Sequence, residues 1–216
     1  MKSNRASLVV VTAVAAAGLL AACALNPKED PTRYYVLSNM VDESGLLESA
    51  DLAGADREEA PSPLDLRVGV RPVSFPSYLK RSRMVTRLAS NELRYMETER
   101  WGEPLEEAFL YALGVNLGVL LGTDEVILHP WYATEKPEFA VMVDVVRFER
   151  DQQGAAHLVV RWELRDASGA IVATNGFRVE EEAADPTSVS ASVQAQSRTV
   201  AALSRQISDA IRKAAT

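Results

Sequence analysis

Apolar and polar residues alternate in several short stretches of the chain, a pattern typical of strands with one buried face. In residues 157–165, Leu158, Val160 and Trp162 share one face while charged side chains take the other. Residues 84–88 and 93–97 flank Ser90 and Asn91, which predicts a hairpin. The other predicted strands are 34–37, 66–70, 126–128, 139–150 and 171–174 with a continuation to 180.

Two segments carry the periodicity of helices. Residues 104–122 begin with a proline, end with a glycine and leave almost no polar face, which predicts a helix buried on both sides. Its glycines recur every fourth residue, which indicates close backbone packing. Residues 188–214 carry one apolar stripe, with Gln196 and Arg205 predicted to face water.

Together these elements predict a mixed α/β or α+β fold, in which a mixed sheet carries one central buried helix and one C-terminal amphipathic helix on one side. The chain has 216 residues, of which 47% are hydrophobic, enough for one core. We therefore predict a single domain over residues 33–216. Residues 42–63 are acidic and rich in Ala, Ser and Pro, and we interpret them as a mobile loop within that domain.

The N-terminus has the features of an export signal. Lys2 and Arg5 precede a run of small and apolar residues that ends in Leu20-Ala21-Ala22-Cys23, which resembles the lipobox of bacterial lipoproteins. The resemblance implies a signal peptide over residues 1–22, diacylglycerol and an N-acyl chain on Cys23, and a tether over residues 23–32. An ordinary signal anchor or a small buried cysteine are the alternatives.

The residue after the cysteine bears on localisation. Ala24 stands where an aspartate usually retains such lipoproteins in the inner membrane, so the resemblance implies the outer membrane and its periplasmic face. Removal of residues 1–22 leaves 21 basic and 30 acidic side chains, a net charge of −9. This charge suits a soluble surface and disfavours nucleic acid as a partner.

The sequence contains few groups that could carry chemistry. One cysteine and two histidines exclude a closed Cys/His zinc site, and no nucleotide-binding or nucleophile-elbow motif is present. We interpret His129 and His157 as surface or half-buried side chains, and Glu180-Glu181-Glu182 as a solvated loop. We therefore predict no enzyme, no metal site and no cofactor beyond the covalent lipid.

Charge is distributed unevenly in the first half of the chain. Residues 42–66 carry eight acids and one base, whereas residues 67–94 carry seven bases and one acid. The acidic loop could simply neutralise its neighbour; alternatively, the basic stretch docks an acidic partner or lipid headgroups. The predicted docking residues are Phe75, Tyr78, Leu79, Lys80, Arg81, Arg83 and Trp101. A core position for Trp101 is the alternative.

The order of several motifs along the chain looks like that of the PqiC-type ABC-transport auxiliary lipoproteins. After the lipobox, these motifs are Tyr34-Tyr35-Val36-Leu37, Val68-Gly69-Val70, Pro76-Ser77-Tyr78-Leu79, Met84-Val85-Thr86-Arg87, Trp101-Gly102-Glu103-Pro104-Leu105 and Asn116-Leu117. The acidic insertion before Leu66 departs from the shorter connection expected of the family. The resemblance implies an outer-membrane lipoprotein that works with an MCE-domain periplasmic protein and inner-membrane components in lipid transport and envelope integrity.

Three functions therefore stand as hypotheses. The first is a non-enzymatic docking and anchoring subunit of such an assembly, with homo-oligomerisation left open. The second is a lipid-anchored envelope hydrolase, or an activator of a periplasmic enzyme, which would require a pocket with convergent acid, base and nucleophile. The third is a lipid carrier, which would require an apolar cavity of roughly several hundred cubic ångströms.

The lipobox generates a direct test. We expect the mature protein to begin at Cys23 and to carry fatty acids, because lipidation precedes cleavage of the signal peptide. Intact-mass spectrometry checks this, and Cys23→Ala should remove the lipid and deplete the protein from the outer membrane. A purified chain that starts at Met1 without acyl groups would contradict the expectation.

Overall fold

A computed structural model of the chain describes residues 29–41, 63–132, 134 and 136–216. The predicted signal peptide, Cys23, most of the tether and the loop up to residue 62 lie outside these residues. The elements are β1 (Arg33–Tyr35), β2 (Val68–Val70), a 3-10 helix (Ser77–Leu79), β3 (Arg83–Ala89), β4 (Glu92–Trp101), α1 (Leu105–Leu121), β5 (Val126–Leu128), β6 (Phe139–Asp151), β7 (Ala156–Asp166), β8 (Ile171–Glu181) and α2 (Val189–Ala214).

The strands form one mixed sheet around β6. One edge of β6 pairs with antiparallel β7, which in turn pairs with antiparallel β8. The other edge pairs with two parallel strands, β2 near its start and β3 near its end. Parallel β5 extends the β2 side, while antiparallel β4 and then parallel β1 extend the β3 side. The predicted mixed α+β fold is confirmed.

The long C-terminal helix α2 covers the inner face of the sheet. It packs against β6, β7, β8 and α1, and its apolar stripe is buried. The Ser188 hydroxyl accepts a hydrogen bond from the Ala191 amide and caps the helix. Gln196 was predicted to face water, but it is only 2% exposed and its amide donates to the Phe148 carbonyl. That prediction is wrong because the helix buries polar as well as apolar residues.

The central helix α1 is less enclosed than its composition predicts. Leu113, Leu117 and Leu121 are fully buried, but Tyr111 is 59% exposed and Val119 is 51% exposed. An open groove of about 320 Å³ lies along this face and is largely lined by apolar side chains of α1 and β5. The prediction of a helix buried on both sides is therefore corrected: one apolar strip remains at the surface.

Glycine allows α1 and its connection to β5 to pack closely. A Cβ atom at Gly114 would lie 2.7 Å from Leu128 Cδ2, so a larger residue would force the Leu128 side chain to shift. Gly122 ends the helix with φ of 66°, a left-handed conformation that favours glycine. Its backbone also lies against Pro63, the last residue of the predicted loop. At Gly114 the helix backbone is approached closely by the Leu128 side chain, which agrees with the close packing predicted from the glycine spacing.

The single amide in α1 connects three parts of the fold. The Asn116 Oδ1 atom accepts a hydrogen bond from the Met40 amide at 2.8 Å, and its Nδ2 donates to the Ser204 hydroxyl at 3.3 Å. The Ser38 amide donates to the Ser197 hydroxyl at 3.0 Å. These bonds fasten the chain that follows β1 to both helices, which accounts for a polar residue in an otherwise apolar helix.

The chain divides into two units, residues 1–31 and residues 32–216, and all the elements above belong to the second. Within the part of the chain that the structure describes, none of the helices has the length and apolarity needed to cross a membrane.

The burial of Trp101 generates a stability prediction. Trp101 is 6% exposed and belongs to the main apolar core, so Trp101→Ala should lower the free energy of unfolding by about 3 kcal/mol or more. Chemical denaturation measures this loss. Tyr111→Ala is the matched control, because that ring is mostly exposed and its removal should cost less than about 1 kcal/mol. Equal losses in the two variants would contradict the core position of Trp101.

Candidate docking face

The segment that contains most of the predicted docking residues connects β2 with β3. Ser74 forms an isolated parallel bridge with Asp144 of β6, so the segment begins on the sheet. Pro76 then precedes the 3-10 helix, and its carbonyl accepts a hydrogen bond from the Leu79 amide at 3.0 Å. This tight turn sends successive side chains in different directions, so residues adjacent in sequence do not share one surface.

The apolar members of the predicted docking face point into the core. The Phe75 ring packs edge-on against Phe109 at 5.5 Å and against Phe148 at 6.3 Å between ring centroids. Phe75, Leu79 and Trp101 are all less than a tenth exposed. We therefore correct the interpretation of these three residues as exposed partner-binding anchors, because their side chains are buried in the core.

Tyr78 is half-buried and anchors the segment to β6. Its hydroxyl donates a 2.7 Å hydrogen bond to Oε2 of Glu149, a carboxylate that is only 1% exposed. The other Glu149 oxygen accepts from Arg87 of β3 and, at 2.9 Å, from Nε of Arg147. The Phe148 amide donates to Oε2 at 3.1 Å. We call Glu149, Tyr78, Arg87 and Arg147 the Glu149 cluster.

The partners of Glu149 keep its buried charge favourable. Burial alone would raise the pKa of the Glu149 carboxyl, but hydrogen bonds from Tyr78, Arg87 and Arg147 hold the pKa below its ordinary value. Burial and then the hydrogen bond to Glu149 raise the pKa of the Tyr78 hydroxyl above its usual range. Tyr78 therefore stays protonated and remains a hydrogen-bond donor.

Sequence reasoning did not identify the Glu149 cluster. Glu149 lies between Phe148 and Arg150 near the end of a long strand, and an acidic side chain is more often exposed than buried. The apolar character of its strand is the one sequence feature that could have indicated burial of Glu149. A buried acid in turn requires a partner. Arg147 is two residues away, but Arg87 and Tyr78 are 62 and 71 residues away in sequence, so sequence spacing does not indicate that they meet Glu149.

The basic members of the predicted docking face are exposed. Lys80 forms an ion pair with Glu106 at 3.3 Å, and the Arg81 guanidinium lies 5.3 Å from the centroid of the Tyr95 ring. Arg83 lies directly opposite Arg100 in the β3–β4 pair. We call Lys80, Arg81, Arg83 and Arg100 the basic face. Next to it is a pocket of about 340 Å³, lined by Lys80, Arg81, Ser82, Trp101, Gly102, Glu103, Pro104 and Leu105.

The register of β3 and β4 places two arginines, Arg83 and Arg100, opposite each other on neighbouring strands. Like charges directly opposite each other on neighbouring strands repel, and this repulsion destabilises the pair. Arg100 donates a long hydrogen bond of 3.4 Å to the Glu97 carbonyl. Because a carbonyl carries no net charge, this bond does not neutralise the guanidinium group. An anionic group that bound both guanidinium groups would offset such repulsion.

The two histidines lie outside the basic face. His129 is exposed and packs edge-on against Trp131 at 5.1 Å between ring centroids. His157 contacts two carboxylates, Asp151 at 2.9 Å and Glu180 at 3.5 Å. In the described residues, no serine, threonine or cysteine is hydrogen-bonded to either ring, so the geometry supplies no triad for the hydrolase hypothesis.

The Glu149 cluster generates a pH-dependent stability prediction. Its carboxyl has a lower pKa in the folded than in the unfolded chain, so its stabilisation is present above about pH 4.5 and is lost as the pH falls through the folded value. Glu149→Gln should lower the free energy of unfolding by about 3 kcal/mol at pH 7, and the difference from wild type should shrink in acid.

Urea denaturation across this pH range measures both effects. Glu97→Gln is the matched control, because Glu97 is an exposed glutamate on β4, and this variant should follow wild type closely. A pH-independent difference between Glu149→Gln and wild type would show that Glu149 is not stabilised as a carboxylate.

Comparisons with known proteins bear on the family. A family model for the ABC-type transport auxiliary lipoprotein component matches residues 48–208. The crystal structure of an uncharacterized protein superposes with a TM-score of 0.63 at 18% identity, covering 83% of this chain and 98% of that one. A DUF330-family protein from Xanthomonas campestris gives a TM-score of 0.59 at 18% identity, covering 68% of this chain and 85% of that one.

Two other comparisons contribute little to the family assignment. A PelC dodecamer from Paraburkholderia phytofirmans gives a TM-score of 0.39 at 14% identity, covering 67% of this chain and 85% of that one, a likeness too low to support an argument. A comparison with curated proteins found no match. The two structures with higher TM-scores share the fold, and the family match over residues 48–208 spans most of the chain. The chain therefore belongs to the family of ABC-type transport auxiliary lipoprotein components.

Proposed function

We propose that the chain is a lipoprotein of the outer membrane, anchored through acylated Cys23 and facing the periplasm, that acts as a non-enzymatic docking subunit of an MCE-type lipid-transport system. The family supports an auxiliary role in ABC-type transport. The lipobox and Ala24 support the anchor and the membrane. In this assembly an MCE-domain protein is the direct periplasmic partner, inner-membrane components complete the path for lipid, and the transport maintains envelope integrity.

The observation that carries the docking role is the basic face on a rigid support. Arg81 and Arg83 are exposed, and the segment leading to them is held to β6 through Tyr78 and the buried Glu149 carboxylate. Because this segment is already fixed, the backbone of the residues that carry the guanidinium groups loses little further conformational freedom when a partner binds. Exposed positive charge also accelerates encounter with an acidic partner.

The chemistry of the basic face indicates what the partner presents. A carboxylate located between Arg83 and Arg100 would accept charge-assisted hydrogen bonds from both guanidinium groups and relieve their mutual repulsion. The chain as a whole is acidic, with a net charge of −7, so this local excess of positive charge also orients an approaching acidic surface. We therefore propose that the MCE-domain partner docks through acidic side chains.

This function requires no catalytic step. The lipid on Cys23 would keep the domain at the membrane, since several acyl chains anchor a protein far more firmly than one chain does. The folded domain would then hold the partner at a fixed orientation. The apolar groove along α1 is open to solvent and would leave much of a bound lipid uncovered, which supports docking over lipid carriage as the role of the domain.

The docking role is tested by reversing charge on the basic face. Arg81→Glu combined with Arg83→Glu should weaken binding of the MCE-domain partner by more than about tenfold, roughly 1.4 kcal/mol, and reduce the salt dependence of binding. The melting temperature should change by only about a degree or two, because both side chains are exposed. Binding is measured with purified, detergent-solubilised protein.

Arg161→Glu combined with Arg178→Glu is the matched control, because it reverses two exposed charges on β7 and β8. Equal weakening by both double variants would mean that only total charge matters. Unchanged affinity in a folded Arg81/Arg83 variant would remove the docking role from the basic face. If no MCE-domain protein co-purifies with the tagged wild-type chain from solubilised envelopes, the proposed assembly is wrong.

A further inference from the structure

Three strands bring a histidine and two acids together at one end of the sheet. Asp151 ends β6, His157 lies near the start of β7, and Glu180 lies near the end of β8. His157 and Glu180 are directly opposite each other in the β7–β8 pair. One ligand atom from each of the three side chains lies within 4.8 Å of the others. This cluster is remote in sequence from the basic face and has no role in the docking function.

Asp151 is held in place by the turn between β6 and β7. Its Oδ1 atom accepts hydrogen bonds from the amides of Gln153 at 2.9 Å and Ala155 at 3.0 Å. Its other oxygen, Oδ2, lies 2.9 Å from Nε2 of His157. Because an ionised carboxylate can only accept, this contact places the proton of a neutral His157 ring on Nε2.

That tautomer leaves a lone pair on Nδ1 of His157. This atom faces Oε2 of Glu180 at 3.5 Å, beyond the usual length of an N–H···O hydrogen bond. A lone pair and a carboxylate oxygen repel each other unless a cation lies between them. Ligands about 2.1 Å from a tetrahedral zinc ion are about 3.4 Å apart, so the observed separation suits two ligands of one metal.

The surroundings favour a cation. A pocket of about 430 Å³ adjoins the cluster and is lined by Asp151, Gln153, Ala155, Glu180, Glu182, Ala183 and Pro186. Two bases lie near this pocket: Arg198 binds the Glu181 carboxylate and the Glu182 carbonyl, and Arg150 donates to the Pro186 carbonyl and interacts electrostatically with Asp151. None of these hydrogen bonds involves the carboxylates of Glu180 and Glu182, two residues that line the pocket.

We propose that this cluster binds a divalent transition-metal ion of the zinc class. Nδ1 of His157 and the carboxylate of Glu180 are the ligands, and Asp151 is the outer partner that fixes the histidine tautomer, as carboxylates commonly do behind metal-bound histidines. Water or Glu182 completes the coordination. This departs from our sequence-based expectation of no metal, which considered His157 and Glu180 separately and did not consider Asp151.

The test uses the mature, detergent-purified protein with a tag that contains no histidine. After treatment with a chelator, the protein is titrated with zinc chloride in a calorimeter, and we expect one site per chain. The chain has only two histidines, so histidine-selective NMR resolves each ring. Zinc should shift the Nδ1 signal of His157, leave its Nε2 protonated and leave His129 unchanged.

Substitutions assign the ligands. His157→Gln and Glu180→Gln should each weaken zinc binding by at least about tenfold. Asp151→Asn keeps an oxygen that can accept from the turn amides but removes the carboxylate that faces Nε2 of His157. Loss of that contact alone should weaken zinc binding by about 10- to 100-fold. His129→Gln and Glu163→Gln are the matched controls and should bind zinc as wild type does.

The alternative outcomes are distinct. Absence of binding, or binding that His129→Gln abolishes and His157→Gln preserves, overturns the proposal. A histidine spectrum unchanged by zinc also overturns it and leaves His157 as a histidine held between two carboxylates. None of these results depends on the docking partner, so failure here is separate from failure of the docking proposal.

Discussion

The fold depends on one strand, β6, whose edges carry every other part of the sheet. Its 13 residues pair with β7 on one edge and with β2 and β3 on the other. A register shift between Val145 and Arg147 divides the strand into two stretches. The second stretch contains Glu149 and Asp151, which belong to the buried charge cluster and to the candidate metal site. The Glu149 cluster and the candidate metal site therefore both depend on the second stretch of β6, which follows the register shift.

Glu149 shows how a buried charge can position a surface. Removing an isolated carboxylate from water is unfavourable, so the charge persists only with donors arranged around it. Here the donors come from the 3-10 helix, from β3 and from β6 itself. Satisfying one carboxylate therefore requires three separate parts of the chain to meet. The exposed arginines of the basic face are positioned as a consequence of that requirement.

Local patterns predicted the elements well and their contacts less well. The alternation in residues 157–165 and the stripe in residues 188–214 depend on neighbours in sequence, and both predictions are confirmed. Leu79 lies in a 3-10 turn and Phe75 just before it, and the core packing that buries both side chains comes from distant parts of the chain that local spacing does not show. Nothing in the local sequence indicated the exposed strip of α1 either, because the apolar composition of a helix does not show how much of its surface neighbouring elements cover.

If the domain is held through a lipid on Cys23, as we propose, the parallel pairing of β1 with β4 has a mechanical consequence. Any pull along the chain reaches β1 first, and its three residue pairs with β4 would be loaded side by side in shear rather than opened one at a time. Directly behind it, the amides of Ser38 and Met40 are bonded to side chains of both helices. Tension would therefore spread into the helical layer before it reached the strands that support the basic face.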